Sequence, residues 1–133
     1  MEDLKKTLVD LERAQAKAFN KGDVKGILGY FDNDLVGFSS TRHARLKGLR
    51  ALRETIEYYL TQADKVDFKI LQPQVQAFGD VAVVSFYWTV TLEKKGKSRV
   101  IEGRGTHVYA KRDGAWKVVH EDFSRAHHAY EKK

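Results

Sequence analysis

Residues 81–93, VAVVSFYWTVTLE, decide the fold, because apolar and polar side chains alternate along most of their length. The alternation gives one face made of Val84, Phe86, Trp88, Val90 and Leu92, and an opposite face made of Ser85, Tyr87, Thr89 and Thr91. Side chains of a strand point to its two faces in turn, so a period of two residues predicts one long β-strand.

The segments on either side repeat this period and predict three further strands. A run that begins at Val66 precedes the central strand, and Pro73 within it indicates a strand edge or a bulge. Two more runs follow, at residues 100–112 and 116–124. Turns separate the four strands at Gly79-Asp80, at residues 94–98 and at Asp113-Gly114. Long antiparallel strands joined by hairpins twist and curl, so we expect a curved sheet.

The first half of the chain predicts three helices and one short strand. Helical spacing relates Leu4, Leu8, Leu11, Gln15 and Ala18, then Val24, Ile27, Leu28 and Phe31, and finally Leu52, Ile56, Tyr59 and Leu60. Gly22 is suited to ending the first helix in the left-handed conformation, and Asp23 offers an N-cap for the second. We expect residues 34–40 to form an extended segment between the second and third helices. This order is typical of an α+β fold in which helices cover one face of the sheet.

Composition limits the class of protein. The 133 residues suit one domain, which we place at 1–133 with a loose tail at 125–133. There is no cysteine and no apolar run near the roughly 18 residues that a membrane span needs. The N-terminus, MEDLKK, lacks the apolar core of a signal peptide. We therefore expect a cytoplasmic protein that does not associate with membranes. Its net charge of +6 is scattered and predicts a solvated basic surface.

Two stretches resemble a known superfamily. GRGTHVYAKRDGAWKVVHEDFS, residues 103–124, resembles the closing strands of nuclear transport factor 2-like proteins, and KRDGAWKVVH is its most specific part. NKGDVKGILGYFDNDLV, residues 20–36, is similar to the Gly-Asp turn between the first two helices of that superfamily. The closest likeness is to SnoaL-like domains and to the calmodulin-dependent kinase II association domain. The resemblance implies a cone-shaped, cystatin-like α+β barrel, with a curved mixed or antiparallel sheet wrapped around three N-terminal helices.

The functional residues known in this superfamily are not found at the corresponding positions of this chain. The base, tyrosine and aspartate of ketosteroid isomerases fall on Ser39, Gln15 and His107, and none matches. The pocket arginines of the association domain fall on Thr89, His107 and Phe123, again without a match. The frequent His-x-His of the family becomes His120-Glu121-Asp122. The scaffold is therefore similar, whereas the site is particular to this chain.

The residues themselves indicate a candidate site on the curved sheet. His107 lies mid-strand in phase with Gly103 and Gly105, glycines that leave space above a sheet. An imidazole exchanges protons near neutral pH, so we propose His107 as catalytic, oriented by Glu121 or Asp122. The alternative is a neutral core histidine bonded to a neighbour. Candidate ligand-binding residues are Gln15, Tyr30, Ser39, Tyr59, Tyr87, Thr89, Tyr109 and Phe123.

Metal and nucleic-acid sites are disfavoured by the pattern. Adjacent residues such as His120 and Glu121 point to opposite faces of a strand, and the pair His127-His128 lies in the tail. We therefore expect no metal and no other cofactor. The stretch RGTHVY, residues 104–109, begins like an RNA-recognition strand but lacks the glycine–aromatic continuation, so we expect no nucleic-acid partner.

Two classes of function remain. The first is a pocket for a small, polar or anionic organic molecule, with isomerase, cyclase, hydratase or hydrolase chemistry. The second is an assembly module without catalysis. The apolar face of residues 81–93 could be the core under the helices, with the threonine face in water. In the superfamily register the threonine face lines the pocket, which predicts a homodimer or higher oligomer through Phe86, Trp88 and Val90.

Overall fold

The computed structural model describes residues 2–127, and this part of the chain forms three helices and six strands. The helices are α1 (Glu2–Asn20), α2 (Val24–Leu28) and α3 (Gly48–Leu60). The strands are β1 (Phe31–Phe38), β2 (Leu46–Lys47), β3 (Lys65–Phe78), β4 (Val81–Lys94), β5 (Lys97–Arg112) and β6 (Ala115–Arg125). None of these helices has both the length and the hydropathy to span a bilayer.

The strands form one mixed sheet in the order β2-β1-β6-β5-β4-β3. All neighbouring strands are antiparallel except β1 and β6, which run parallel. The predicted α+β class and the four hairpin-linked strands are confirmed. The β3–β4 register shifts between Leu71 and Gln74, where Gln72 has a φ of 50°, so the bulge predicted at Pro73 is also confirmed.

The helix ends follow the sequence closely, with one difference. Gly22 ends α1 with a φ of 71°, and the Asp23 carboxylate caps α2 by accepting from the N–H of Gly26. Phe31, predicted in the second helix, instead begins β1 opposite Val118 of β6. The Phe31 side chain is buried in the core. Burying it in the sheet stabilises the fold more than adding one turn to a short helix would.

The end of the sheet extends into the segment predicted as a loose tail. Arg125 is the last residue of β6, and the N–H of Ala126 donates to the carbonyl of Glu102. The remainder of that predicted segment, residues 128–133, lies outside the described residues.

The structure corrects the predicted orientation of β4. Phe86, Trp88 and Val90 are at most 4% exposed and face the helices, whereas Tyr87 is 53% exposed on the opposite face. The predicted dimer through Phe86, Trp88 and Val90 is therefore wrong, because these side chains form the core of a single chain. The superfamily register misplaced the strand by one residue, and a shift of one exchanges the two faces of a strand.

The glycines of β5 have a different role from the one expected. A Cβ at Gly103 would collide with the Trp88 ring, and one at Gly105 would collide with the Phe86 ring. The space above these glycines is thus filled by rings from β4 rather than left for a ligand. Trp88 Nε1–H also donates to the carbonyl of Arg104 at 3.0 Å, which fixes the indole against β5.

We predict that Gly105→Ala destabilises the protein, because the added methyl group must displace the buried Phe86 ring. Overpacking of this kind costs about 1–3 kcal/mol, measurable by urea unfolding. Gly29→Ala is the matched control, since Gly29 is exposed with an α-helical φ of −63°. Equal stability of the two variants would contradict this packing.

Candidate functional site

A pocket of about 120 Å³ lies between the helices and the inner face of the sheet. Every helix and most strands contribute to its wall, which is mainly apolar. Its lining consists of Glu12, Gln15, Ala16, Phe19, Ile27, Phe31, Ser39, Ser40, Leu52, Thr55, Ile56, Tyr59, Phe68, Ile70, Trp88, His107, Glu121 and Phe123. The pocket lies where the curved sheet and the helices enclose space.

Three charged side chains meet at one end of this pocket. His107 of β5 is hydrogen-bonded through Nδ1 to Oε2 of Glu12 at 2.6 Å and through Nε2 to Oε1 of Glu121 at 2.7 Å. His107 is 3% exposed, Glu12 1% and Glu121 9%. The imidazole therefore bridges a carboxylate of α1 and a carboxylate of β6 away from solvent.

Two further polar side chains extend this bridge. The hydroxyl of Tyr109 donates to Oε2 of Glu12 at 2.7 Å and accepts from Nε2 of Gln15 at 2.9 Å. Oε2 of Glu12 thus accepts two hydrogen bonds. Oε1 of the same carboxylate is buried and has no hydrogen-bond partner, and Glu12 lines the pocket. A pocket-lining residue therefore has one buried acceptor that is left unsatisfied.

The geometry determines the protonation state of His107. Both ring nitrogens face carboxylate oxygens, so both donate and the ring is an imidazolium. Burial opposes the charge, but the charge of Glu12 and the hydrogen bonds to Glu12 and Glu121 outweigh it and raise the pKa of His107 to about 10. Burial, with the charge of Glu12, also raises the pKa of Tyr109 well above its usual value, so its hydroxyl stays a donor to Glu12.

Local sequence explains why these groups meet. Glu12 lies four residues after Leu8 and three before Gln15, so all three project from one face of α1. Glu121 stands directly opposite His107 in the β5–β6 ladder. Gly37 of β1 pairs with Glu121, and any Cβ there would collide with the Glu121 backbone. A glycine at this position lets β1 close against β6.

The structure brings together most, but not all, of the predicted site residues. The pocket lining includes Gln15, Ser39, Tyr59, His107, Glu121 and Phe123, and Tyr109 joins the network behind it. The lining does not include Tyr30, Tyr87, Thr89 or Asp122. Tyr87 and Thr89 lie on the outer face of β4, and Asp122 is exposed on the outer face of β6. Glu121, not Asp122, is therefore the inward carboxylate.

Sequence reasoning missed Glu12, the residue that completes the bridge. Its signal was a charged residue in the apolar stripe of the first helix, between Leu8 and Gln15. A charge at such a position is rarely buried without a partner. Its partner, His107, is 95 residues away along the chain, so no local pattern could have supplied it.

Metal ligands are not grouped anywhere in the described residues. Within 2–127, no three histidine, aspartate or glutamate side chains are placed to share an ion. His128 of the tail pair lies outside the described part of the chain. At the pocket itself, both ring nitrogens of His107 are occupied by carboxylates, which leaves the imidazole no free lone pair for a metal.

Solved structures with the same architecture define the class of fold. A nuclear transport factor 2-like protein of unknown function from Pseudomonas putida has a TM-score of 0.85 at 21% identity, over 100% of this chain and 94% of that one. A Xanthomonas campestris protein assigned as a calcium/calmodulin dependent protein kinase II association domain has a TM-score of 0.81 at 24% identity, over 90% and 86%. The association domain of the C. elegans kinase has a TM-score of 0.78 at 19% identity, over 92% and 96%. The fold is that of the nuclear transport factor 2-like superfamily.

The sequence match then identifies the family. The profile of the SnoaL-like domain matches residues 10–128, which is most of the chain and includes the whole Glu12–His107–Glu121 bridge. The chain belongs to the SnoaL-like domain family, and the resemblance seen in the sequence is confirmed.

We predict that stability falls as pH rises from about 7 towards 10. The folded pKa of His107, about 10, exceeds the value of 6.5 expected without its partners, so the folded state retains a proton that the unfolded state loses. This stabilisation is complete below about pH 6.5 and disappears as pH passes the folded pKa, with a slope of up to roughly 1.4 kcal/mol per pH unit. Urea unfolding at pH 6, 7.5 and 9 would measure it.

His107→Gln should flatten this dependence, whereas His43→Gln, at an exposed histidine, should retain it. If His107→Gln does not fold, the ¹⁵N chemical shifts of the His107 imidazole in the unchanged protein will report its protonation state directly. A His107 ring with one unprotonated nitrogen at pH 8 would refute the imidazolium assignment.

Proposed function

We propose that this protein binds a small, mostly apolar organic molecule in the pocket, with a hydrogen-bond donor of that molecule directed at Oε1 of Glu12. The unpartnered oxygen carries this proposal. Leaving a buried acceptor unsatisfied costs about 1–3 kcal/mol, more for a charged group, and a bound donor would remove that cost.

The size and the wall of the pocket support the apolar part of the ligand. A cavity of about 120 Å³ is comparable with the apolar cavities of about 150 Å³ that bind benzene. Six aromatic side chains line it, which matches one small ring or a branched chain of similar volume. A larger ligand requires movement of the wall.

The network also restricts the chemistry that we propose. His107 holds both ring protons at neutral pH, so it does not serve as the base suggested by the sequence. The group able to accept a proton from a bound molecule is Oε1 of Glu12, while His107 and Tyr109 donate to Oε2 and stabilise the carboxylate charge. A ligand proton held against Oε1 is the arrangement that isomerases and cyclases of the acid–base type require. An anionic ligand, expected as an alternative from the sequence, would face this carboxylate and is disfavoured.

We predict that benzyl alcohol binds about tenfold more tightly than toluene, because only the alcohol donates to Glu12, and tenfold corresponds to about 1.4 kcal/mol. Fluorescence of Trp88, which lines the pocket, and chemical-shift changes in α1 would report binding. Ala16→Leu fills the pocket and should abolish binding of both probes.

Ala14→Leu is the matched control, since Ala14 lies on the same helix but is not among the lining residues. It should bind as the unchanged protein does. Failure of both probes to bind, or binding that survives Ala16→Leu, would refute the pocket proposal.

We propose self-association through the outer face of the sheet as a second function. Five large apolar side chains on this face are exposed, and we call them the outer apolar face: Leu71, Phe78, Val81, Tyr87 and Val100. Leu71 and Tyr87 stand directly opposite each other in the β3–β4 ladder. An exposed apolar surface of this kind is typical of an interface, and similarity to association domains favours a second copy of this chain as the partner.

We predict that Tyr87→Glu converts a dimer to a monomer, because a charge would be buried in the apolar contact. Light scattering on a sizing column, at tens of micromolar protein, would measure the mass. Tyr58→Glu is the matched control, since Tyr58 of α3 is similarly exposed, at 57% against 53%. A monomeric unchanged protein, or a dimer that survives Tyr87→Glu, would refute this interface.

A further inference from the structure

The charge of the bridge is not balanced within the described residues. Two carboxylates, Glu12 and Glu121, face one imidazolium, His107, which leaves one negative charge at the polar end of the pocket. Tyr109 and Gln15 are neutral donors and do not cancel it. A buried charge is strongly destabilising unless an opposite charge or several hydrogen bonds compensate it.

The remaining charge belongs to residues that line the pocket. Oε2 of Glu12 accepts from His107 and Tyr109, whereas Oε1 of this pocket-lining residue is buried and has no hydrogen-bond partner. No lysine or arginine is among the pocket-lining residues that the structure describes. Arg42 reaches Thr55 at the edge, with Nη1 3.3 Å from Oγ1, in an exposed contact. The lysine and arginine side chains of residues 2–127 are therefore not part of the pocket lining.

Aromatic rings form a large part of the remaining wall of the pocket. Ring centroids of Phe19 lie 5.6 Å from those of both Tyr59 and Phe68, and the Phe123 centroid lies 5.9 Å from that of Trp88. These five rings all line the pocket. The face of an aromatic ring attracts a cation, most strongly where water is excluded. Aromatic walls and one unpaired carboxylate oxygen are the features that recognise an organic ammonium group.

We propose that the ligand of this pocket is a small organic cation, a protonated amine bearing one ring-sized apolar group. The ammonium N–H donates to Oε1 of Glu12, and its charge balances the bridge. The apolar group packs against the aromatic walls. This proposal rests on the proposed ligand-binding function and adds the charge of the ligand to it.

Three probes of similar shape test the charge at pH 7.5: benzylamine as the cation, benzyl alcohol as the neutral donor and benzoate as the anion. We expect benzylamine to bind at least tenfold more tightly than benzyl alcohol, and benzoate to show no saturable binding. Titration calorimetry on the unchanged protein measures all three affinities, so this comparison does not depend on any variant folding.

Glu12→Gln removes the charge with little change in shape and should reduce the preference for benzylamine over benzyl alcohol to within twofold. Asp10→Asn removes the same charge from the exposed side of α1 and should retain the preference. Loss of preference in Asp10→Asn would show that surface charge is responsible and would overturn the proposal.

The outcomes separate this inference from the binding function on which it rests. Benzyl alcohol binding as tightly as benzylamine, or more tightly, would overturn the cation and leave the pocket intact. Saturable binding of benzoate would also overturn the cation. If none of the three probes binds and toluene does not bind either, the proposed pocket function fails together with this inference.

Discussion

The imidazolium bridge between Glu12 and Glu121 is the interaction on which the arrangement of this molecule depends. It joins α1 to the two central strands β5 and β6 and so holds the Glu12 side of α1 against the sheet. Removing charges from water costs several kcal/mol per ion, and only short, well-directed hydrogen bonds offset that cost. The contacts of 2.6 and 2.7 Å meet this condition for His107, but Glu12 keeps one oxygen without a partner. The bridge therefore holds α1 against the sheet and also supplies polar side chains to the lining of the pocket.

Two aromatic rings of β4 lie over β5 next to this bridge, and one of them, Trp88, lines the pocket. The rings of Phe86 and Trp88 occupy the places where side chains of residues 105 and 103 would otherwise stand. They lie on the helix-facing side of the sheet and cover these two positions of β5. Phe123 of β6 packs beside both rings, with centroid distances of 5.6 and 5.9 Å. The aromatic layer therefore covers the sheet as a wall, and the volume between this wall and the helices remains available.

Sequence reasoning succeeded where a local pattern has one structural solution. Alternation in residues 81–93, the turns around Gly79 and Gly114, and the bulge at Pro73 each follow from backbone geometry within a few residues. Sequence reasoning failed to assign the inner and outer faces of β4, because an alternating pattern defines two faces without showing which one the helices cover. Tyr87 and Thr89 were compatible with either side of the sheet, and a register borrowed from distant relatives was one residue out. His107 and Glu121 were identified individually, but the state of the imidazole could not be inferred without Glu12.

The sequence by itself determined the order of the elements, their turns and the superfamily, since hydrophobic period and turn chemistry act over short stretches of chain. Tertiary structure alone decided that Glu12, His107 and Glu121 meet, that the histidine is charged, and that an oxygen of Glu12 has no partner. Each of these depends on atoms brought together across the fold, such as residues 12 and 107, whose separation along the chain hides their contact. Electrostatic energies depend on distance and burial, which a linear sequence does not contain. The chemical character of the pocket is therefore a property of the folded chain.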